Sequence, residues 1–398
     1  MKIKSVKTAD LKDKRVLVRV DFNVPLENGK VADDTRITAT LPTINYLLEK
    51  GAKVILMTHL GRPDGKIVDE LKLDPLAEKL SELINKPVKK LADCIGPEVE
   101  QAVKSMQAGE IILLENTRFH AEEESCDKEF SKKLAALGDL FVIDSFGTAH
   151  RKHASTYGIA EHIPAYAGFL VEKEVNTLSE LMQDTAKPFV VIMGGSKIET
   201  KIGVMKNFLG KADHFLVGGG LANTFLAAKG FNVAESLYEP DQLETAREIM
   251  LDAEAIHNNF HLPTDAVVAD EIEDTAETLD IPVEDVEGSM KILDIGRNTI
   301  TAFEEIIAKS GTIIWNGPVG LFEKEKFSRG TRHIAVAVAK ATTISGAKSI
   351  IGGGDTIDAI NNFGIDLNKY THVSTGGGAM LEFLEGTMLP GIEIILEK

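Results

Sequence analysis

A chain of 398 residues exceeds one ordinary core of about 100–200 residues, so it forms either two domains or one large α/β unit. Hydrophobic residues make up 43%, which excludes disorder over most of the length. A net charge of −17 repels nucleic-acid phosphates and anionic lipid, while leaving room for a local cationic pocket. The two cysteines, Cys94 and Cys126, lack C-x-x-C spacing and are too few for a disulfide scaffold. They suit a reducing cytosol, so a cytoplasmic location is expected. The basic N-terminus lacks the apolar stretch of a signal peptide, and no run of about 18 apolar residues offers a membrane span.

Along the chain, short apolar runs alternate with longer helical patterns. Arg15–Val20, Val54–Met57, Ile111–Leu114 and Leu140–Ile143 read as buried strands in the first half. Phe189–Met193, His214–Val217, Ala266–Ala269, Thr312–Trp315 and Ser349–Ile351 repeat the habit in the second. Helical patterns lie between them, as at Ile37–Leu48, Asp127–Leu137 and Asn298–Ala308. Such alternation predicts an α/β fold of doubly wound parallel sheets with helices on both faces. A boundary is expected near residues 165–187, where a polar helical stretch over Val171–Leu181 precedes Lys187-Pro188. That stretch is either a helix joining two lobes or a surface helix of one large domain.

Ligands of open parallel sheets bind beyond the carboxyl ends of the strands, so the residues after each run carry the functional signal. In the first half those residues are cationic or polar. Arg19, Asp21, Asn23 and Arg36 come first, then His59 and Arg62, then Arg118, and finally His150, Arg151, Lys152 and His153. Any one of these arginines is equally a surface ion-pair partner, His59 a structural histidine, and Asp21-Phe22-Asn23 a turn. Their recurrence at four successive strand ends instead points to an anion site, because the guanidinium fork matches carboxylate and phosphate oxygens.

The second half answers with glycine: Gly194-Gly195, Gly218–Gly220, Asn316-Gly317-Pro318, Gly352–Gly354 and Gly376–Gly378. One such run is equally a flexible turn. Several at strand ends fit phosphate binding by backbone N–H groups and helix N-termini. Lys197 and Lys201, four apart, would share a face if a helix begins in that segment. Asp355 suits either a Mg²⁺ ligand or an N-cap. No G-x-x-x-x-G-K-[ST] motif occurs, and no glycine run completes G-x-G-x-x-G, which argues against a P-loop enzyme and a dinucleotide-dependent dehydrogenase. The carboxylates Glu122–Glu124 read as a solvated charge run. Cationic and glycine-rich halves together suit phosphoryl transfer, which needs positioning and charge neutralisation.

The chain resembles the phosphoglycerate kinase family over essentially its whole length. The resemblance rests on VLVRVDFNVPL at Val16–Leu26, DDTRI at Asp33–Ile37, THLGRP at Thr58–Pro63 and ENTRF at Glu115–Phe119. It continues through DSFGTAHRKHAS at Asp144–Ser155, GGSKIETKIGV at Gly194–Val204 and VGGGLANTFL at Val217–Leu226. TIIWNGPVGLFE at Thr312–Glu323, IIGGGDT at Ile350–Thr356 and STGGGAMLEFLEG at Ser374–Gly386 complete it.

The resemblance implies reversible transfer between 1,3-bisphosphoglycerate and MgADP, by direct in-line attack with hinge closure of two Rossmann-like lobes. It implies an N-terminal glycerate lobe over residues 1–168, a linking helix over 169–185 and a nucleotide lobe over 186–385, with the tail 386–398 returning to the first lobe. Asp21, Asn23, Arg36, His59, Leu60, Gly61, Arg62, Arg118 and Arg151 would hold the glycerate ligand. Lys197, Lys201, Gly219, Asn316, Glu323, Gly353, Gly354, Asp355 and Thr356 would hold ADP or ATP, with Asp355 on Mg²⁺. Arg36, Lys197, Gly376, Gly377 and Gly378 would stabilise the phosphoryl group in transit. A monomer acting on small molecules is implied, with no nucleic-acid or membrane partner. Ser145 and Ser196 stand where the family more usually has alanine, and Arg297 where proline is more usual.

Overall fold

The computed structural model describes residues 1–183, 185–256 and 258–397. It divides into two compact units, Met1–Ser179 with the C-terminal segment from Met388, and Glu180–Thr387.

The first unit is built on β1 (Arg15–Val20), β2 (Lys53–Met57), β3 (Val88–Lys90), β4 (Ile111–Leu113), β5 (Leu140–Asp144) and β6 (Ala165–Ala167). They form one parallel sheet in the order β3-β4-β2-β1-β5-β6. Strands covered on both faces carry continuous apolar runs, and five of the six residues of β1 are buried. Val16, Val18, Val54 and Leu56 pack against Ile37, Ile44 and Leu47 of helix α1 (Thr35–Glu49). Helices α2 (Asp74–Ile84), α3 (Pro97–Lys104) and α4 (Lys128–Ala135) follow. The C-terminal segment closes on this unit: Lys4 N–H donates to Ile395 C=O at 2.7 Å, and Gly391 N–H to Ala149 C=O at 2.8 Å.

Helix α5 (Phe169–Gln183) contains the division between the units, while Asp184 of the expected linker lies outside the described residues. In the second unit β7 (Phe189–Met193), β8 (His214–Val217), β9 (Asn259–His261), β13 (Thr312–Asn316), β14 (Lys348–Gly352) and β15 (His372–Val373) form a parallel sheet. Its order is β9-β8-β7-β13-β14-β15. Val190, Ile192, Ile313 and Trp315 meet Phe303 of α9 (Arg297–Ala308) and Val338 of α10 (Arg329–Thr343) in the core.

The run at Ala266–Ala269 does not join that parallel sheet. It is part of β10 (Asp265–Ala269), which pairs antiparallel with β11 (Leu279–Pro282) and β12 (Lys291–Ile295). The remaining helices are α6 (Ile202–Phe208), α7 (Gly219–Lys229), α8 (Leu243–Ala255), α11 (Gly354–Asn362), α12 (Gly377–Leu384) and α13 (Pro390–Glu393). The strand order of each large sheet reverses at its first strand, between β1 and β5 and between β7 and β13. The crevices that gather ligands in open sheets lie at the carboxyl ends of those pairs.

Candidate functional site

In the first unit the strand-end loops lock together through polar side chains. Asp33 Oδ1 accepts the N–H (2.8 Å) and hydroxyl (2.6 Å) of Thr35, which starts α1 and sets Arg36 in its first turn. Arg36 Nη1 then reaches Asp21 Oδ2 at 2.6 Å. Asn23 Oδ1 accepts Gly61 N–H at 2.9 Å, and Arg118 Nη1 donates to Gly61 C=O at 2.9 Å. Gly61 has φ +64, where a side chain is strained, and a Cβ there would lie 2.8 Å from Leu71 Cδ2, so glycine is favoured. Asn116 engages Leu60 on both sides, accepting its N–H and donating to its C=O. The Leu60 side chain is in the core.

The resulting surface is densely cationic. Arg19, His59 and Arg118 are at most 4% exposed. Burial and the charges of Arg19, Arg118, Arg151 and His153 hold the His59 imidazole well below the usual histidine range. Burial, followed by Arg19, Arg118 and Arg151, pushes His153 down to about 4. Arg19 Nε and Nη1 and Arg118 Nη2 are buried with no hydrogen-bond partner among the described residues. Buried donors of this kind normally have one, so these point to an anion. Arg151 is half-buried and Arg62 exposed.

In the second unit the glycine runs serve two purposes. Gly194, Gly195 and Gly219 donate their N–H groups to Asn316, Pro318 and Val319 carbonyls at 2.8–3.0 Å, so three strand ends interlock through backbone. A Cβ on Gly194 would sit 2.1 Å from Pro318 O. Gly354 opens α11 and Gly377 opens α12, where first-turn N–H groups lack intrahelical partners. Gly219, Gly220, Val319, Phe322, Glu323 and Asp355 line one pocket.

Asn316 ends β13 and accepts from the Lys201 ammonium through Oδ1, while its Nδ2 is buried without a partner among the described residues. Thr356 Oγ1 accepts Gly317 N–H at 2.8 Å. The cap of α11 is Gly353, so Asp355 is not an N-cap; it stands exposed on the first turn. Lys197 and Lys201 do not share a helix face, because α6 begins only at Ile202. Lys197 is exposed in the irregular segment before α6, and Lys201 is buried.

The family model for phosphoglycerate kinase matches residues 6–387. The chain belongs to the phosphoglycerate kinase family. The phosphoglycerate kinase of Dictyoglomus turgidum is 53% identical, covering 100% of this chain and 99% of its own. That of Moorella thermoacetica is 49% identical, over 99% of both chains. The solved structure of phosphoglycerate kinase from Coxiella burnetii superposes with a TM-score of 0.88 at 42% identity, over 99% of each chain. That from Pyrococcus horikoshii gives 0.86 at 36% identity, over 99% of this chain and 98% of its own. This kinase therefore catalyses the glycolytic transfer of a phosphoryl group between 1,3-bisphosphoglycerate and ADP, with ADP or ATP as co-substrate. Among the described residues no helix is long and apolar enough to cross a membrane.

Glu123 and Arg19 stand out further against the sequence reading. Glu123 is not part of a solvated run: it is fully buried and accepts both the N–H (2.9 Å) and the hydroxyl of Ser155. Its neighbour Glu124 lies 3.1 Å from Arg118 Nε. Arg19 was expected among the cationic groups but not among the ligand-holding ones, although it is the most deeply buried cation of the cluster. An arginine set between the buried valines of RVLVRV is the signal that marks it.

Proposed function

We propose that the first unit, with the C-terminal tail, holds 3-phosphoglycerate or 1,3-bisphosphoglycerate, and that the second holds the nucleotide. Asp21, Asn23, His59, Arg62, Arg118, Arg151 and the Leu60-Gly61 backbone bind the glycerate ligand. Lys201, Gly219, Asn316, Glu323 and Gly353–Thr356 bind ADP or ATP. The observation that carries this reading is the set of buried guanidinium nitrogens of Arg19 and Arg118 left without a partner among the described residues.

Transfer is direct and in-line. An oxygen of the ADP β-phosphate attacks the acyl phosphate, the P–O bond to C1 breaks, and its electron pair stays on the new carboxylate. Both acceptors, ADP phosphate and glycerate carboxylate, are ionised near neutrality, so no general base is needed. The requirement is neutralisation, supplied by Arg36, Lys197 and the N–H groups of Gly376–Gly378 at the start of α12. Asp355 offers a hard carboxylate oxygen on the wall of the Gly219–Glu323 pocket, which suits Mg²⁺ held jointly by protein and phosphate oxygens. When bound, that ion would offset phosphate charge. Hinge closure about the segment after Gly168 brings the two ligands together and excludes water. The enzyme acts as a cytoplasmic monomer without nucleic-acid or membrane partners, in keeping with its net charge of −17 and two unpaired cysteines.

The test combines two assays. ADP release from MgATP, with hydroxylamine trapping the acyl phosphate, must depend on 3-phosphoglycerate. Arg36→Ala must lower kcat by about 10³-fold or more with little change in nucleotide affinity. A kcat within about tenfold of the parent would remove Arg36 from the transfer step.

A further inference from the structure

The first unit carries a second cluster of ligating side chains that phosphoryl transfer does not use. Asp93 and Cys94 lie in the loop after β3, and His120 directly follows the short turn Thr117–Phe119. A carboxylate oxygen of Asp93, the Cys94 Sγ and a ring nitrogen of His120 all lie within 4.8 Å of one another. We propose that Asp93, Cys94 and His120 form a zinc site, with water as the fourth ligand.

The donor set selects the metal. A thiolate with an imidazole and a carboxylate is poor for Mg²⁺ or Ca²⁺, which take oxygen shells, and fits Zn²⁺. Tetrahedral Zn²⁺, with bonds of about 2.0–2.3 Å, spaces its ligand atoms about 3.3–3.7 Å apart. His120 Nε2 and Asp93 Oδ1 stand 2.7 Å apart, so they must separate by roughly 1 Å or less, while Sγ moves in. Asp93 and Cys94 belong to a loop without regular structure, which can adjust.

The surroundings support a cation. Asp93 Oδ1 accepts Cys94 N–H at 2.6 Å, which fixes carboxylate and thiol relative to each other, and the His120 ring leans on Phe130 with centroids 5.2 Å apart. Contacts of this kind orient ligands in metal sites. Carboxylate and thiolate together balance the dication. Binding sends the thiol proton to solvent, and the neutral His120 ring carries its one proton on Nδ1 so that Nε2 is free for the metal. Asp93 is exposed, which leaves solvent access for the fourth ligand, whereas Cys94 is fully buried. Because Arg118 lies two residues before His120, zinc would also tie the β3 loop to a segment of the proposed glycerate site.

The experiment titrates Co²⁺, then Zn²⁺, into the reduced, nucleotide-free full chain and follows absorbance. One equivalent of Co²⁺ should give a thiolate-to-cobalt charge-transfer band with intense visible bands, and Zn²⁺ should abolish both. Cys94→Ser should remove the charge-transfer band and Cys126→Ser should leave it. The exposed Asp93→Asn, which keeps an acceptor for Cys94 N–H, should weaken Co²⁺ by at least about tenfold without loss of kinase activity. Absence of the band at one equivalent overturns the site. So does its dependence on Cys126, or unchanged affinity in Asp93→Asn.

Discussion

Arg19 Nη2 lies 3.0 Å from Nδ1 of His59, and both side chains are buried. A guanidinium only donates, so Nδ1 is the acceptor and the neutral ring carries its proton on Nε2. The arginine thereby fixes which edge of His59 can donate to an anion, while its own Nε and Nη1 remain without a partner among the described residues.

Replacing Arg19 by methionine should therefore act twice. The KM for 3-phosphoglycerate should rise about 10–100-fold, the equivalent of one or two lost charge-assisted hydrogen bonds, with little change in the KM for ATP. In parent protein, long-range ¹⁵N–¹H spectra should show His59 as the Nε2–H tautomer and uncharged through the ordinary histidine range, as burial beside the cationic Arg19, Arg118 and Arg151 dictates. The variant should lose that fixed tautomer and titrate higher. Equal rises in both KM values would assign Arg19 to the core alone.

Glu123 supplies the negative charge beneath this cluster. It is buried against Ser155, and its charge is the largest electrostatic support for Arg19. Glu123→Gln keeps the shape and removes the charge, leaving buried arginine short of compensation. Breaking such an arrangement costs about 3–5 kcal/mol. An added anion can then take over part of the lost role. Inorganic sulfate or 3-phosphoglycerate should raise Tm more in Glu123→Gln than in the parent, despite the lower starting value. Equal shifts in the two proteins would disconnect Glu123 from the anion site.

Glu123 also shows where sequence reading stops. Three adjacent glutamates look solvated, and only the fold reveals that Ser155, 32 residues away, folds back onto the middle one. The long strands were legible because two-sided burial demands uninterrupted apolar runs, as in β1 and β7. The edge strands Val88–Lys90, Asn259–His261 and His372–Val373 were not, since two or three residues of mixed polarity carry no pattern. Ala266–Ala269 read correctly as a strand, but its antiparallel partners are decided by tertiary pairing. Arginines after strands announced the cationic site. The spacing of Lys197 and Lys201 promised a shared helix face that the late start of α6 removes.

Asp144 makes a prediction about stability. Its Oδ1 accepts Leu170 N–H at 2.9 Å at the start of α5, and burial raises its pKa to about 7 against the support of Thr43 and the Val171 and Leu170 N–H groups. The folded state thus holds the proton more tightly than the unfolded chain. The contribution is complete below about pH 4 and is lost as pH rises through 7, amounting to roughly 4 kcal/mol at most. Asp144→Asn retains the acceptor and should flatten this limb of the profile between pH 5 and 7. Trp315, the only tryptophan, belongs to the second unit, so its fluorescence reports the wrong half. Pulsed labelling of the buried Cys94 thiol in urea, in a Cys126→Ser background, follows the first unit. A slope unchanged by the substitution would show that another group sets it.

Lys201 gives the corresponding prediction for the nucleotide. Burial pushes its ammonium down to about 8, against the partial support of the Asp355 carboxylate. Its Nζ donates to Asn316 Oδ1 at the end of β13. A nucleotide phosphate beside it favours the charged form, so binding must take up a proton wherever the free lysine is neutral. The uptake should be close to zero at pH 7 and about 0.9 proton at pH 9, with nucleotide affinity falling nearly tenfold per unit above pH 8. Calorimetry in two buffers of different ionisation enthalpy measures it directly. Lys201→Met should abolish the uptake and weaken ADP at pH 7 by about 10–100-fold. Proton uptake that persists at pH 9 in Lys201→Met would move the titration to another group and leave the role of Lys201 unsupported.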